Sequence, residues 1–146
     1  MKKGLIADRK RRQQILRMNK IRFGGCTPTD IDMFMELGAR IFIFTEVKYK
    51  DAPIPKGQRW AFEVLVDILC LFGHAVFVIV RHDKPVDKDV KVHKGYVDCY
   101  YTAGKWVKLN EYPRYGDWLA RWKKQADNDR IKPGWMDLIT ALRKMS

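Results

Sequence analysis

Two short stretches carry the residues able to do hydrolytic chemistry. Thr29-Asp30-Ile31-Asp32-Met33-Phe34 places two carboxylates two residues apart, and Thr45-Glu46-Val47-Lys48-Tyr49 places a carboxylate two residues before an ammonium. Residues two apart in a strand share a face. Asp30 and Asp32 therefore point one way on their strand, as do Glu46 and Lys48 on theirs. Two carboxylates with positions left open for water and phosphate suit a hard cation such as Mg²⁺. A neighbouring ammonium can then act on the activated water or offset charge that builds on a phosphate. Gln58 opens the next helical stretch, where a polar side chain and free backbone N–H groups can hold a phosphate or the attacking water.

These residues need a sheet to bring them together. Ile31, Met33 and Met35 alternate with Asp30, Asp32 and Phe34, a period-two pattern that predicts a strand. Leu37-Gly38-Ala39-Arg40 is short enough for a hairpin turn. Pairing about that turn brings Asp32 close to the level of Glu46. Ile41–Lys48 is apolar on both faces until its end, as expected of a strand buried within a sheet. Asp51–Gly57 contains two prolines and a glycine and predicts a loop. Gln58–Phe72 has helical spacing, with Ala61, Phe62, Leu65, Ile68, Leu69 and Phe72 on one broad face and Gly73 placed to cap it. Ala75–Val80 predicts a second buried strand. A strand, a helix and a strand in this order make a crossover, so the two strands should be parallel neighbours. Further on, Tyr96–Tyr101 and Lys105–Leu109 predict a hairpin about Thr102-Ala103-Gly104. Tyr115–Lys124 and Trp135–Lys144 predict short amphipathic helices, the second with Trp135, Leu138, Ile139 and Leu142 on one face.

The bulk composition bounds the partners. A chain of 146 residues, 47% hydrophobic, can bury one good core and predicts a single domain over 1–146. Its formal net charge of +12 favours polyanions. Residues 1–22 hold nine basic residues and one acid, a local excess of eight positive charges. Residues 1–24 thus form a basic N-terminal arm, helical over about Asp8–Met18, in which Arg9, Lys10, Arg11, Arg12 and Arg17 are the phosphate-contact candidates. Lys50 and Arg59 flank the carboxylates and are candidates for the same role. The basic N-terminus is not followed by an apolar run, and the longest apolar stretches are too short for a bilayer. Neither a secretory signal nor a membrane partner is therefore expected. Cys26, Cys70 and Cys99 form no close pair, which points to a reduced, cytoplasmic setting. His74, His82 and His93 are scattered, without zinc-ligand spacing.

A Glu-x-Lys triplet alone is common by chance. Here it ends a buried strand, follows an Asp-bearing strand by one hairpin, and precedes a helix opening with Gln. In that context, Asp32 (or Asp30), Glu46-Val47-Lys48 and Gln58 resemble the motif of the PD-(D/E)XK, or restriction-endonuclease-like, nuclease superfamily. The resemblance covers roughly residues 26–81, which it implies to be the catalytic core. It is strongest to small phage nucleases, in Cys-Thr-Pro-Thr-Asp-Ile-Asp-Met-Phe and Phe-Thr-Glu-Val-Lys-Tyr, and extends to Holliday junction resolvase-like members. It implies an α/β fold: a three-layer α/β/α core with a mixed central sheet. The basic N-terminal helix and a C-terminal region, 96–146, of hairpin and helices are added to that core. It also implies Mg²⁺-dependent hydrolysis of DNA phosphodiester bonds, with Mn²⁺ able to substitute. Asp32 and Glu46 would ligate the metal, the Val47 carbonyl would add a ligand, and Lys48 would act on water or phosphate. The family's Pro-Asp is not literal, since Thr29 follows Pro28. Asp32 fits better because it starts the apolar strand, while Asp30 is left as a second ligand or a turn residue.

On this reading the chain is a structure-selective endonuclease of phage or prophage origin, acting on branched or single-stranded DNA and, as the resolvase likeness implies, as a homodimer. No groove-reading motif is evident. Two alternatives remain: a non-catalytic DNA-binding or host-interaction protein on a nuclease-like scaffold, and a basic RNA-binding module with its carboxylates far apart. Among the other residues, Glu63 should lie on a different helix face from Gln58, solvated or salt-bridged. Tyr100 and Tyr101 alternate on a strand, so one of them is a candidate for stacking on an unpaired base.

Overall fold

The computed structural model describes residues 29–128 and 135–145, without the side chains of 135–139. The basic arm with Arg9, Lys10, Arg11, Arg12 and Arg17 lies outside the described residues. The chain divides between Asp30 and Ile31, and the unit beginning at Ile31 carries the sheet.

That sheet has five strands: β1 (Met33–Leu37), β2 (Ile41–Tyr49), β3 (His74–His82), β4 (Tyr96–Thr102) and β5 (Lys105–Lys108). Their spatial order is the order of the sequence. β1 and β2 form the expected hairpin, in register Met33↔Thr45 through Leu37↔Ile41. β2 and β3 run parallel, and β3–β4 and β4–β5 are antiparallel. The sheet is therefore mixed. Among the described residues there are three α-helices, α1 (Lys56–Leu69), α2 (Tyr115–Asn128) and α3 (Trp135–Met145), and one short 3-10 helix (Val92–Lys94). The fold class is mixed α/β.

β2 and β3 read as unbroken apolar runs because both their faces are covered. Ile41, Ile43, Val76, Val78 and Val80 point to one side, where Tyr115 and Trp118 of α2 complete a core cluster. Phe42, Phe44, Ala75, Phe77 and Ile79 point to the other, against Phe62 and Val66 of α1. On the α1 side, ring contacts run from edge to edge of the sheet. Phe34 stacks on Phe44 at 4.8 Å, Phe62 on Phe77 at 4.2 Å, and Trp106 meets Phe77 edge-on at 5.9 Å. On the α2 side the Thr45 and Tyr115 hydroxyls share a buried hydrogen bond of 2.8 Å. Burial raises the Tyr115 pKa, and that bond works in the opposite direction.

Two local expectations change. The helix starts at Lys56, not Gln58, so Gln58 sits within its first turn. Its apolar arc is also only partly buried: Phe62 and Val66 are inside, whereas Ile68 is 50% exposed and continues an outer row with Trp60 and Val64. The arc is wider than one sheet face can cover, so its flank stays in solvent.

Gly73 does not end the helix in a left-handed conformation, for only Gly38 and Gly104 among the described glycines have positive φ. Its role is close approach. A Cβ at this position would collide with the Arg40 carbonyl, which accepts the His74 N–H at 2.7 Å where β3 begins beside β2. Gly73→Ala should therefore cost about 1–3 kcal/mol through forced backbone displacement. Urea denaturation checks this, and an unchanged midpoint would show that the chain gives way at no cost.

Candidate active site

The hairpin register decides how the carboxylates meet. Met33 pairs with Thr45, so the next residue outward on β1's side, Asp32, comes level with Glu46. Asp32 lies just ahead of the strand and is exposed. Its Oδ2 accepts the Val47 backbone N–H at 2.8 Å. Alternate residues of a strand offer their N–H to opposite neighbours, and β1 ends before it can serve Val47. The Asp32 side chain takes that place, which pins the carboxylate to β2 one residue from Glu46.

Glu46 and Lys48 share the α1 face of β2, as alternation requires. Lys48 Nζ lies 2.6 Å from Glu46 Oε1. This is no surface salt bridge, because Glu46 is only 4% exposed. Its second oxygen, Oε2, is buried without a hydrogen-bond partner. Burial pushes the Glu46 carboxyl above the ordinary glutamate range. The Lys48 hydrogen bond opposes that shift, the Asp32 charge adds to it, and the Lys48 charge and the Gln58 amide oppose it. Gln58, 8% exposed, thus sits close enough to favour the charged form while leaving Oε2 unsatisfied. The structure brings Asp32, Glu46, Lys48 and Gln58 to one place at the end of the parallel strand pair.

A proton shared so unequally between folded and unfolded states has a consequence for stability. The raised folded-state pKa means that Glu46 holds its proton more tightly when folded. The penalty for ionising it is absent below the unfolded value of 4.5 and complete once pH passes the raised folded value, so stability falls as pH rises through that window. Glu46→Gln should flatten this slope and, without metal, melt a few degrees higher than wild type at pH 8. Melting curves from pH 4 to 8 would show it, and parallel slopes for the two proteins would refute it.

The donor set fits a hard cation. Two carboxylates and the Val47 carbonyl are oxygen donors of the kind Mg²⁺ takes, and an orphaned buried carboxylate oxygen is what a cation would satisfy. Among the described residues no three His, Cys, Asp or Glu side chains gather as a metal cluster. One or two carboxylates completed by water and phosphate is the usual Mg²⁺ arrangement. Asp30 is exposed and lies outside the sheet-bearing unit, whereas Asp32 is tied to β2.

The flanking cations behave differently from one another. Arg59 Nε binds Glu63 Oε1 at 2.8 Å, and its guanidinium lies 4.7 Å from the Trp106 ring centre. Its side chain is nonetheless 52% exposed. Glu63 is salt-bridged as expected, its pKa lowered by the Arg59 and Trp106 hydrogen bonds. Lys50 lines a cleft of about 810 Å³ together with Asp51, Arg81, Tyr96, Asp98, Tyr112 and Arg114. Sequence reasoning missed these residues. Only the sheet order brings residues 81–114 beside residue 50. Of the two alternating tyrosines, one is buried and the other only partly so. Tyr101 is buried with its hydroxyl donated to Asp67 at 2.8 Å, and Tyr100 packs on Trp118 at 5.3 Å.

With this geometry in hand, comparison with protein-family models, curated proteins and solved structures finds no match for the chain. Among the described residues, no helix is long and apolar enough to cross a membrane.

Proposed function

We propose that the chain is a metal-dependent phosphodiesterase and, within that class, a structure-selective DNA endonuclease of the PD-(D/E)XK type with a restriction-endonuclease-like core. The observation that carries this reading is the buried Glu46 with one oxygen on Lys48 and the other unsatisfied, one residue from the Asp32 carboxylate at Val47. A buried carboxylate oxygen left without a partner is costly, and such sites recur where function requires them.

Asp32, Glu46 and the Val47 carbonyl would hold Mg²⁺, with Mn²⁺ as substitute. When bound, the ion supplies Lewis-acid polarisation of the phosphate and a lowered water pKa. Lys48, already 2.6 Å from Glu46, keeps its ammonium beside the reacting phosphate, where it offsets developing charge and can orient the attacking water by donating a hydrogen bond to it. Gln58 lies in the first turn of α1, whose cap residue, Pro55, provides no side-chain hydrogen bond. The first-turn N–H groups are therefore available to a phosphate oxygen. The net charge of +12 supports a polyanionic substrate.

The test is incubation of supercoiled, linear, single-stranded and four-way-junction DNA with Mg²⁺ or Mn²⁺. Cutting of branched or single-stranded DNA ahead of linear duplex is expected. No cutting of any substrate in either ion would refute the enzyme reading and leave a DNA-binding or host-interaction protein. A homodimer, and a phage or prophage origin acting in the host cytoplasm, belong to the same proposal. Sedimentation at the concentrations used for cleavage reads the assembly.

A further inference from the structure

Four non-glycine residues have left-handed backbones among those described: Ala39, Lys50, Ala103 and Tyr112. Two of them are explained by their turns. Ala39 follows Gly38 in the β1–β2 hairpin, and Ala103 precedes Gly104 in the β4–β5 hairpin, where positive φ is what tight turns demand. A third, Lys50 (φ 45°), is the second residue of a turn closed by the Ala52 N–H on the Tyr49 carbonyl at 3.0 Å, whereas Tyr112 (φ 42°) has no such turn; both line the 810 Å³ cleft. A bulky residue in this conformation is strained, and strain of this kind gathers where side chains must be displayed.

The side chain so displayed is an aromatic ring, and Lys50 adds an ammonium that lies 5.2 Å from the Tyr49 ring centre. Tyr112 is 48% exposed and braced edge-on by Tyr96, with ring centres 5.9 Å apart. Arg114 is fixed through its hydrogen bond to the Lys94 carbonyl at 2.6 Å. Arg81 forms a rigid part of the lining, bound to Asp98 at 2.6 Å and to the Lys50 and Ala52 carbonyls. Its charge is balanced by Asp98. Among the described residues neither Lys50 nor Arg114 is in a salt bridge, and with Asp51 also in the lining the cleft's three cations outnumber its two carboxylates.

The cleft also lies beside the candidate active site. Arg81 is the register partner of Lys48, one strand spacing away. A chain leaving the Glu46–Lys48 site across β3 would enter it directly.

We propose that this cleft holds one nucleotide of an unpaired strand next to the cleavage site. The base stacks on Tyr112, and the phosphate is met by Lys50 and Arg114. Its ligand class rests on the nucleic-acid reading above. A duplex keeps its bases stacked on one another and cannot offer a ring to Tyr112. The cleft therefore selects single-stranded or branched DNA over linear duplex. Aromatic–base stacking is the usual way to bind an unpaired base without reading sequence.

The experiment uses the full chain in EDTA, so binding is read without metal or cleavage. The probes are a 12-nucleotide single strand containing 2-aminopurine, its duplex, and adenosine monophosphate. The variants are Tyr112→Asn and Lys50→Asn, since asparagine accepts left-handed backbone and should leave folding intact. Tyr112→Asn should weaken single-strand binding about tenfold and abolish quenching of the fluorescent base. Duplex binding should change less than twofold, and the melting temperature should hold or rise. Lys50→Asn should weaken single-strand binding and reduce its salt dependence. Equal effects on strand and duplex, or none on either, would overturn the proposal. Monophosphate binding as tight as the strand would do so too, by assigning the cleft to a free nucleotide. The two readings fail separately. A protein that shows the Tyr112 effect but cuts nothing in Mg²⁺ keeps the cleft and loses the nuclease. One that cuts DNA without a Tyr112 effect loses only the cleft.

Discussion

Glu46→Ala should lower Mg²⁺-dependent DNA cleavage by about a thousandfold, with the fold intact. The expectation follows from what Glu46 would hold. Metal stabilisation of a phosphoryl transition state is worth several kcal/mol, and each 1.36 kcal/mol is tenfold in rate. Removing a buried carboxylate at the ion's position should forfeit most of that, because Asp32 alone is exposed and engaged by Val47. A second readout does not depend on turnover. Mg²⁺ that binds only the folded chain stabilises it by about 2.7 kcal/mol at a hundred times its dissociation constant. Wild type should therefore melt higher as Mg²⁺ is added, and Glu46→Ala should not. Lys48→Met separates the roles: it should keep the Mg²⁺ shift and lose rate. Equal cleavage by wild type and Glu46→Ala would remove Glu46 from the site. A Mg²⁺ shift that survives in the mutant would place the ion elsewhere.

The largest loss of stability should come from Phe77→Ala, about 3–5 kcal/mol. Phe77 is fully buried in the middle of β3, stacked on Phe62 of α1 and met edge-on by Trp106 of β5. Truncation forfeits the transfer free energy of the ring and leaves a cavity among groups that cannot collapse into it. The sheet holds β2 and β4 on either side, and α1 is tethered at both ends. Since domain stabilities are commonly 5–15 kcal/mol, this one change could remove much of the total. Urea titration followed by circular dichroism measures it. A loss below about 1 kcal/mol would mean that α1 does not pack on β3 as described.

The sequence by itself determined what depends on neighbours along the chain. Period-two alternation fixes which residues share a strand face, so Glu46 and Lys48 were bound to meet. The turn within Leu37–Arg40 places Asp32 close to the level of Glu46, and the observed pairing of Leu37 with Ile41 about a three-residue loop makes them level. The parallel pairing of β2 and β3 was legible too, because a helix of α1's length between two apolar strands leaves little other choice. Strand ends were less legible. Asp32 reads as the first strand residue, yet it lies ahead of β1 and uses its side chain where a backbone partner is missing.

Tertiary structure alone decided burial and every contact between distant segments. Whether Glu46–Lys48 is a solvated pair or a buried one with an orphaned oxygen depends on α1 covering that face, which no strand pattern records. Arg59 can be paired with Glu63 from their helical spacing, but its seat against Trp106 requires β5 to come home beside α1. Tyr101 is lost to the core by the same packing. The cleft at Lys50 and Tyr112 has no sequence signature, because its walls come from separate strands and loops joined only by the order of the sheet. Local periodicity is written in a chain residue by residue. Which faces are covered, and what their covering leaves unsatisfied, is settled only when distant elements pack.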